Sequence, residues 1–423
     1  MEHETLEIQD KCRRRQKGPG VLYYVCISLL VLTLSLATCW VIRLAYANLA
    51  RQQGTPEAIG QAIRLDPLNA DYRAALADAL EYEHQNPEKA LLNATQLDPL
   101  NSAYWIRRGI RAEIQGNPTI AERLYLEAAR VDFHFGPRIA LMNFYFRQGE
   151  TQQFWNWARL AFERSYGDMT GTFELCWRVS PDPKVILERA LPHDPTILAA
   201  FLQFVSAHAG DNVAAPVAGE LLQQAGPATT EALLDYCDRL LTAKKLDRAL
   251  EIWLVLSHRG LLPENGSRNG NLLTNARFRS PFSQRGFDWK LTADPEIRLI
   301  AGDPPDAFSV SLSGKQPELC EILSQVVPIE AGDRYGFHVE YRTTSVADSG
   351  LAWHVENAFA PGTQMVVDLP QSENWNRREA TFEARGTRFA RVSLVYARAS
   401  GTVRYDGRLL VRALSLSRVI DGR

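Results

Sequence analysis

The sequence predicts a multidomain chain, α then β: one N-terminal transmembrane helix, an α-helical solenoid and a C-terminal β-sandwich. Three observations predict it. An uncharged apolar run lies near the start, a short segment recurs at an offset of 32 residues, and the hydrophobic period changes from helical to alternating after Leu262. The length of 423 residues suits two or three domains. Apolar residues at 46% and charged residues at 23% are ordinary for a folded protein and exclude a wholly disordered or collagen-like chain. Lys plus Arg is 47 and Asp plus Glu is 49, so the net charge of −2 gives no sign of a nucleic-acid partner. Six scattered cysteines without a CxxC spacing argue against a disulfide scaffold, a zinc site or a redox pair.

The first element is the run from Val21 to Ile42, 22 residues in which Ser28, Thr33, Ser35 and Thr38 are the clearly polar ones. As a helix it spans about 33 Å, enough for a hydrocarbon core of roughly 30 Å. Tyr23, Tyr24 and Trp40 stand near its ends, where amphipathic aromatics prefer the interface. Lys11, Arg13, Arg14, Arg15 and Lys17 precede it, whereas Arg43 and Arg51 follow it widely spaced. That asymmetry predicts a cytoplasmic N-terminus and a translocated remainder. A cleaved leader is the rival reading. The run exceeds the usual apolar region of a leader, and its candidate cleavage site Ala45-Tyr46-Ala47 comes only after Arg43, which favours an uncleaved anchor.

The second element is repetitive. Leu65-Asp66-Pro67-Leu68-Asn69-Ala70-Asp71-Tyr72 returns as Leu97-Asp98-Pro99-Leu100-Asn101-Ser102-Ala103-Tyr104, then weakly as Val131-Asp132-Phe133-His134, with an echo at His193-Asp194-Pro195-Thr196. A period near 34 is that of a helix-turn-helix solenoid. Asp-Pro is expected to end one helix, and Asn69 or Asn101 to cap the next. Ala74, Ala75, Ala79, Ala90 and Ala94 let helices approach closely, while Tyr72, Leu76, Leu80, Tyr104, Ile106 and Ile110 supply apolar stripes. Gly109, Gly116 and Gly149 fit tight packing or helix ends. These residues, with Ala62, Ala121, Tyr125, Ala128 and Ala129, resemble the tetratricopeptide repeat family over about residues 55–150. The family's tryptophan and glycine are not consistently present. Helical patterns persist at Phe154–Arg164, Ile197–Ala209, Ala214–Gln224 and Glu231–Leu256, and Lys245 to Trp253 looks like one more degenerate repeat. The resemblance implies a right-handed scaffold that docks a protein partner, and it implies no catalysis.

The polar stretch from Pro263 to Asn271 reads as a linker. Beyond it Phe308–Leu312, Tyr335–Tyr341, Arg391–Tyr396 and Leu409–Leu416 alternate, with turns such as Glu330-Ala331-Gly332-Asp333, which indicates an all-β sandwich. The expected divisions are 1–20 (basic tail), 21–43 (transmembrane helix), 50–262 (helical repeats), 263–270 (linker) and 271–420 (β-sandwich). Residues 271–418 resemble a carbohydrate-binding module of jelly-roll, galactose-binding-like fold. The carriers are Asn271 to Phe278, Phe287-Asp288-Trp289, Leu323 to Ile329, Gly332 to Tyr335, Trp375 before the strand Arg378–Ala384, and Gly401 to Asp406. The family often holds a structural calcium with acidic residues near the opening motif and the final strand. Arg277 and Arg279 stand there instead and Asp406 is the obvious acid left, which argues against calcium; no cofactor and no metal are expected.

Sugar binding would need an aromatic platform, because pyranose C–H faces stack on indole or phenol rings while polar side chains take the hydroxyls. The candidates are Tyr341, Trp353, His354 and Trp375, with Trp289 read as core. No GxSxG, HExxH, P-loop or GxGxxG appears, and His338 with His354 has no metal-ligand spacing. Cys176, Cys237 and Cys320 are an odd number in the translocated part and read as small buried hydrophobes. The sequence therefore leads to the expectation of a non-enzymatic envelope scaffold in a bacterial inner membrane, with its bulk periplasmic or extracellular. Its repeats would dock a protein, its sandwich would touch polysaccharide during exopolysaccharide assembly or export, and it would have no nucleic-acid partner. The alternatives are a pure protein–protein adaptor with a structural β cap, and a glycan hydrolase.

Overall fold

The computed structural model describes residues 21–262, 270–344, 349–386 and 388–419. The basic tail and nearly all of the expected linker lie outside the described residues. The chain divides after Ser165 into two compact units. The second unit takes in the last six helices and the sandwich.

Among the described residues the first unit holds eight helices: α1 (Val21–Gln52), α2 (Pro56–Leu65), α3 (Ala70–Tyr82), α4 (Glu88–Leu97), α5 (Ser102–Ile114), α6 (Pro118–Val131), α7 (Phe135–Gln148) and α8 (Thr151–Phe162). Short turns fold them into successive antiparallel hairpins, α1 with α2 through α7 with α8. α1 contains the one helix among the described residues that is long and apolar enough to cross a membrane. Its hydroxyls turn inward along the backbone: Thr33 Oγ1 donates to the Leu30 carbonyl at 2.9 Å, and Ser35 and Thr38 donate to Val31 and Leu34 at 2.8 Å. No hydroxyl donor of these three is left facing an apolar surrounding.

α1 does not stop where its apolar run stops. Charge at Arg43 ends the greasy stretch but breaks no backbone hydrogen bond, so the helix continues to Gln52. Its last turns become the first wall of the repeats. Ala47 and Ala50 pack with Ala62 and Tyr72, the Tyr72 hydroxyl meets Asn48 Oδ1 at 3.2 Å, and Arg43 Nε donates to the Leu65 carbonyl at 2.5 Å. The same relation recurs one repeat later, where the Tyr104 hydroxyl donates to Asp71 at 2.6 Å and Tyr104 packs with Ala74 and Ala94.

The expected caps are present. Asn69 Oδ1 accepts from the Asp71 amide at 3.1 Å and Asn101 Oδ1 from the Ala103 amide at 3.2 Å, while α2 and α4 end just before Asp66 and Asp98. At the fourth echo the dipeptide works the other way. Asp194 caps a helix, accepting from Thr196 and Ile197 amides at 2.8 and 3.2 Å, and Pro195 is its first residue. The chain arrives there from a non-helical segment, so the restraint of Pro on its predecessor sets a start instead of an end.

The second unit begins with α9 (Thr170–Val179), α10 (Pro183–Arg189), α11 (Pro195–His208), α12 (Asp211–Gln223), α13 (Pro227–Thr242) and α14 (Leu246–His258). The pattern read across Glu231–Leu256 is two helices, parted at Lys244, whose φ is +59°. Ten strands follow among the described residues: β1 (Lys290–Leu291), β2 (Ile297–Ala301), β3 (Ala307–Ser313), β4 (Leu319–Pro328), β5 (Arg334–Thr343), β6 (Leu351–Asn357), β7 (Thr363–Asp368), β8 (Asn376–Glu383), β9 (Phe389–Ala397) and β10 (Asp406–Arg418). They form two five-stranded antiparallel sheets, ordered β1-β4-β9-β6-β7 and β2-β3-β10-β5-β8. From β3 to β6 and from β8 to β10 the chain alternates between sheets, the connectivity of a jelly roll. Inward residues of both sheets make one core, among them Phe308, Val310, Phe337, Val392, Leu394 and Leu409.

Asn271 clasps the opening of the sandwich to its last strand. Its Oδ1 accepts from the Leu416 and Leu273 amides at 3.0 and 3.1 Å, and its Nδ2 donates to the Leu414 carbonyl at 3.1 Å. Arg285 joins the sandwich to α13, where Glu231, Asp235 and Asp238 share one face. It donates to Glu231 at 3.2 Å, to Asp238 at 2.5 Å and to Asp235. Gly286, at φ +52°, lies so close to the Trp253 ring that a Cβ would overlap it, and its amide donates to Asp238 at 2.8 Å.

Gly109 lets α5 and α6 close together, because a Cβ there would sit 2.7 Å from the Tyr125 ring, and that ring is buried. Gly109→Ala gains about 1 kcal/mol of helix propensity but overpacks a fixed ring, which typically costs 1–3 kcal/mol. The expected net effect is a loss of about 1 kcal/mol, read as a lower Tm in thermal unfolding of the first unit's helical signal. An unchanged or raised Tm would show that Tyr125 can move aside.

Candidate functional site

In the first unit α5 and α7 border an open groove of about 540 Å³ lined by Ile106, Ile110, Ile114, Tyr125, Ala140, Asn143, Glu113 and Arg147. The three isoleucines recur every fourth residue and so form one stripe on α5. Ile106 and Ile110 belong to the apolar stripe expected from the sequence. The structure leaves Ile110 and Ile114 exposed, since the neighbouring helix offers small and polar Ala140 and Asn143 at that level. The charges at the groove are satisfied internally. Arg147 makes a two-pronged bond to Glu113 at 2.8 and 2.7 Å, and the Tyr125 hydroxyl donates to the same carboxylate at 2.9 Å. Burial works to raise the Glu113 pKa, but the bonds from Arg147 and Tyr125 outweigh it and hold the carboxyl below its ordinary value. Burial, with Glu113 as neighbour, pushes the Tyr125 hydroxyl well up, so it remains a donor.

The sugar-platform candidates do not come together. Tyr341 and Trp353 are both 0% exposed, and neither offers a ring face to a ligand. Tyr341 points inward from β5, and its hydroxyl donates to the Pro370 carbonyl at 3.0 Å. Trp353 packs edge-on against Trp289, with centroids 5.9 Å apart, and against Phe337. Their polar sequence neighbours mark the alternate, outward positions of the same strands, and strand alternation puts the aromatics inside. Trp289 is core, as expected. His354 is half-buried on the outer face of β6, between Ser393 and Val366, with Nδ1 3.7 Å from Glu356. Trp375 lies just before β8, an edge strand of the other sheet. It is half-buried, and the Arg412 guanidinium lies 4.0 Å from its ring centroid and that of Arg342 5.7 Å away.

Around Trp375 the outer face of β5, β8 and β10 is densely charged. Arg412 Nε donates to Glu340 at 2.8 Å, His338 Nδ1 lies 3.4 Å from Glu379, and Arg377 pairs with that same Glu379. Arg408 donates to Asp303 at 2.8 Å and to Ser309 at 3.0 Å. Arg342 stacks near the indole while its Nε has no hydrogen-bond partner among the described residues. Guanidinium groups held over an indole present several donors, a chemistry suited to hydroxyl pairs and carboxylates. Sequence reading missed Glu340, Arg342 and Arg412. The signal for Glu340 and Arg342 is the alternation of His338, Glu340 and Arg342 with Phe337, Val339 and Tyr341.

At the opening of the sandwich Asp306 is taken by Arg279. Among the described residues no group of three or more His, Cys, Asp or Glu is arranged to hold a metal ion. Cys176, Cys237 and Cys320 are free thiols. Cys176 and Cys237 are fully buried, and burial raises the Cys237 thiol to about 12, beyond reach of ionisation at neutral pH.

Some solved structures are similar to parts of the chain. One described as CBM4 is 9% identical over 35% of this chain and 99% of its own, with a TM-score of 0.28. PilF of Pseudomonas aeruginosa is 18% identical over 51% of this chain and 91% of its own, with a TM-score of 0.24. One described as BiXyn10A CBM1 is 12% identical over 34% of this chain and 95% of its own, with a TM-score of 0.25. No family model matches the chain, and no curated protein matches it.

Because the Glu113 pKa is depressed in the folded state, its contribution is present above the unfolded value and is lost as pH falls through the folded one. Urea midpoints of the wild type should therefore drop between about pH 5 and pH 3 by more than those of Glu113→Gln. Identical pH dependence of the two proteins would remove Glu113 from the account.

Proposed function

We propose that the chain is a non-enzymatic, membrane-anchored scaffold of a bacterial envelope. α1 crosses the inner membrane once with its N-terminus cytoplasmic, and both folded units stand on the far side. The helical groove docks a segment of a protein partner, and the outer face of the sandwich holds polysaccharide during exopolysaccharide assembly or export.

The observation that supports this reading best is the groove. Isoleucines are left open to water on an ordered helix, beside charges that already satisfy each other. Such a surface favours an apolar segment and gives no site for acid–base chemistry, since Glu113 is committed to Arg147 and Tyr125. The sugar half rests on Trp375 with Arg342, Arg412 and Glu340, which offer donors, an acceptor and an indole within one patch.

Two experiments on the full chain, the first in cells and the second in nanodiscs, test the two halves separately. A photo-crosslinking residue at Ile110 should trap one protein partner in cells, and one at exposed Tyr166 should not; equal trapping or none would remove the docking role. On an array of envelope polysaccharides the wild type should bind, and Trp375→Ala with Arg412→Ala should lose at least about tenfold in affinity, roughly the 1.4 kcal/mol expected for losing aligned contacts at an exposed site. An array without binding by the wild type would remove the sugar role.

A further inference from the structure

The repeated Leu-Asp-Pro-Leu-Asn segment does more than start and stop helices. α2 returns antiparallel to α1 and ends at Leu65, whose carbonyl takes the bond from Arg43. The loop from α2 to α3 is therefore level with Arg43, less than one helical turn beyond Trp40. The hairpins that follow repeat the same out-and-back path, so the loops from α4 to α5 and from α6 to α7 fall on the same edge of the unit.

In each of these loops the residue just before the helix N-cap is a large apolar side chain in water. Leu68 is 78% exposed, Leu100 75% and Phe133 67%. They are not loose tips. Asn69 Nδ2 ties back to Asp66 at 3.1 Å, Arg73 reaches the Pro67 carbonyl at 3.4 Å, Trp105 Nε1 donates to the Pro99 carbonyl at 2.8 Å, and the His134 amide donates to Asp132 at 2.9 Å. The fold thus holds three apolar side chains outward that its own packing does not use. Cationic and amphipathic groups stand beside them: Arg43 5.5 Å from the Trp40 ring, Arg73 next to Leu68, and Trp105 with Arg108 5.5 Å from its ring next to Leu100.

We propose that this edge lies on the bilayer that α1 crosses, with Leu68, Leu100 and Phe133 set into the boundary between headgroups and acyl chains. The occupant is lipid because the edge is level with the end of the apolar run of α1, and a continuous helix fixes that level. Apolar side chains flanked by Arg and Trp are the chemistry of interfacial membrane contact. The first unit would then rest on the membrane instead of hanging from it. The inference depends on the reading of α1 as a membrane span.

The test uses the full chain in phosphatidylcholine–phosphatidylglycerol vesicles whose acyl chains carry bromine. An environment-sensitive fluorescent amino acid is encoded singly in place of Leu34, Leu68, Leu100, Phe133 or Tyr82. Leu34 reports the span, and Tyr82, exposed on the opposite edge between Glu81 and Glu83, reports bulk water. The expected result is loss of emission to the bromolipid at 34, 68, 100 and 133, and none at 82. Loss at 34 with none at 68, 100 and 133 overturns the proposal and leaves the anchor standing. No loss at 34 overturns the anchor and the proposal together. Equal loss at 82 and 100 also overturns it, because contact would then not be confined to one edge.

Discussion

The bond from Arg43 Nε to the Leu65 carbonyl closes the joint between an apolar helix and a repeat array. Without that joint α1 would be a leash. With it, and with Ala47 and Ala50 packed against Ala62 and Tyr72, the helix that is long enough to cross a membrane is also the first helix of the first hairpin. A helix satisfies its own backbone wherever it goes, so a single one can pass from an apolar surrounding to a packed one without a break. Level and direction set at Arg43 are inherited by every hairpin after it in the first unit.

Inheritance works because neighbouring hairpins meet through the same contacts. Tyr72 bonds to Asn48 and Tyr104 bonds to Asp71, each reaching the preceding outbound helix. Arg107 extends the pattern to Asp78 and the Ala74 carbonyl, and Arg147 to Glu113. Small residues such as Ala74, Ala94 and Ala77 allow the close approach these bonds require. The second unit relies on a different device. There Arg285 gathers three carboxylates of α13, and Gly286 admits the Trp253 ring, so that helices and sandwich share one compact body.

Features decided locally could be read from sequence. Asn69 and Asn101 cap helices because the side chain reaches an amide two residues on, and Asp66 and Asp98 end helices because proline follows. Period-two alternation located β3, β5, β9 and β10. Features decided by distant partners could not be read. α9 and α10 are too short to show a period. Tyr341 and Trp353 look like surface aromatics among polar neighbours until strand pairing assigns their face to the core. Trp375 was legible as an aromatic, but the guanidinium groups of Arg342 and Arg412 beside it come from strands β5 and β10 that pair only in the folded sheet. The end of α1 was misplaced for a simpler reason, since an arginine ends an apolar run without ending a helix.

Amide hydrogen exchange of the intact chain in lipid nanodiscs tests the joint most directly. Amides from Ala47 to Arg51 should exchange as slowly as those in the middle of α2, because both belong to one packed hairpin. Exchange there at the rate of an exposed loop would mean a hinge between membrane and repeats, and the fixed level from which the rest is derived would be gone.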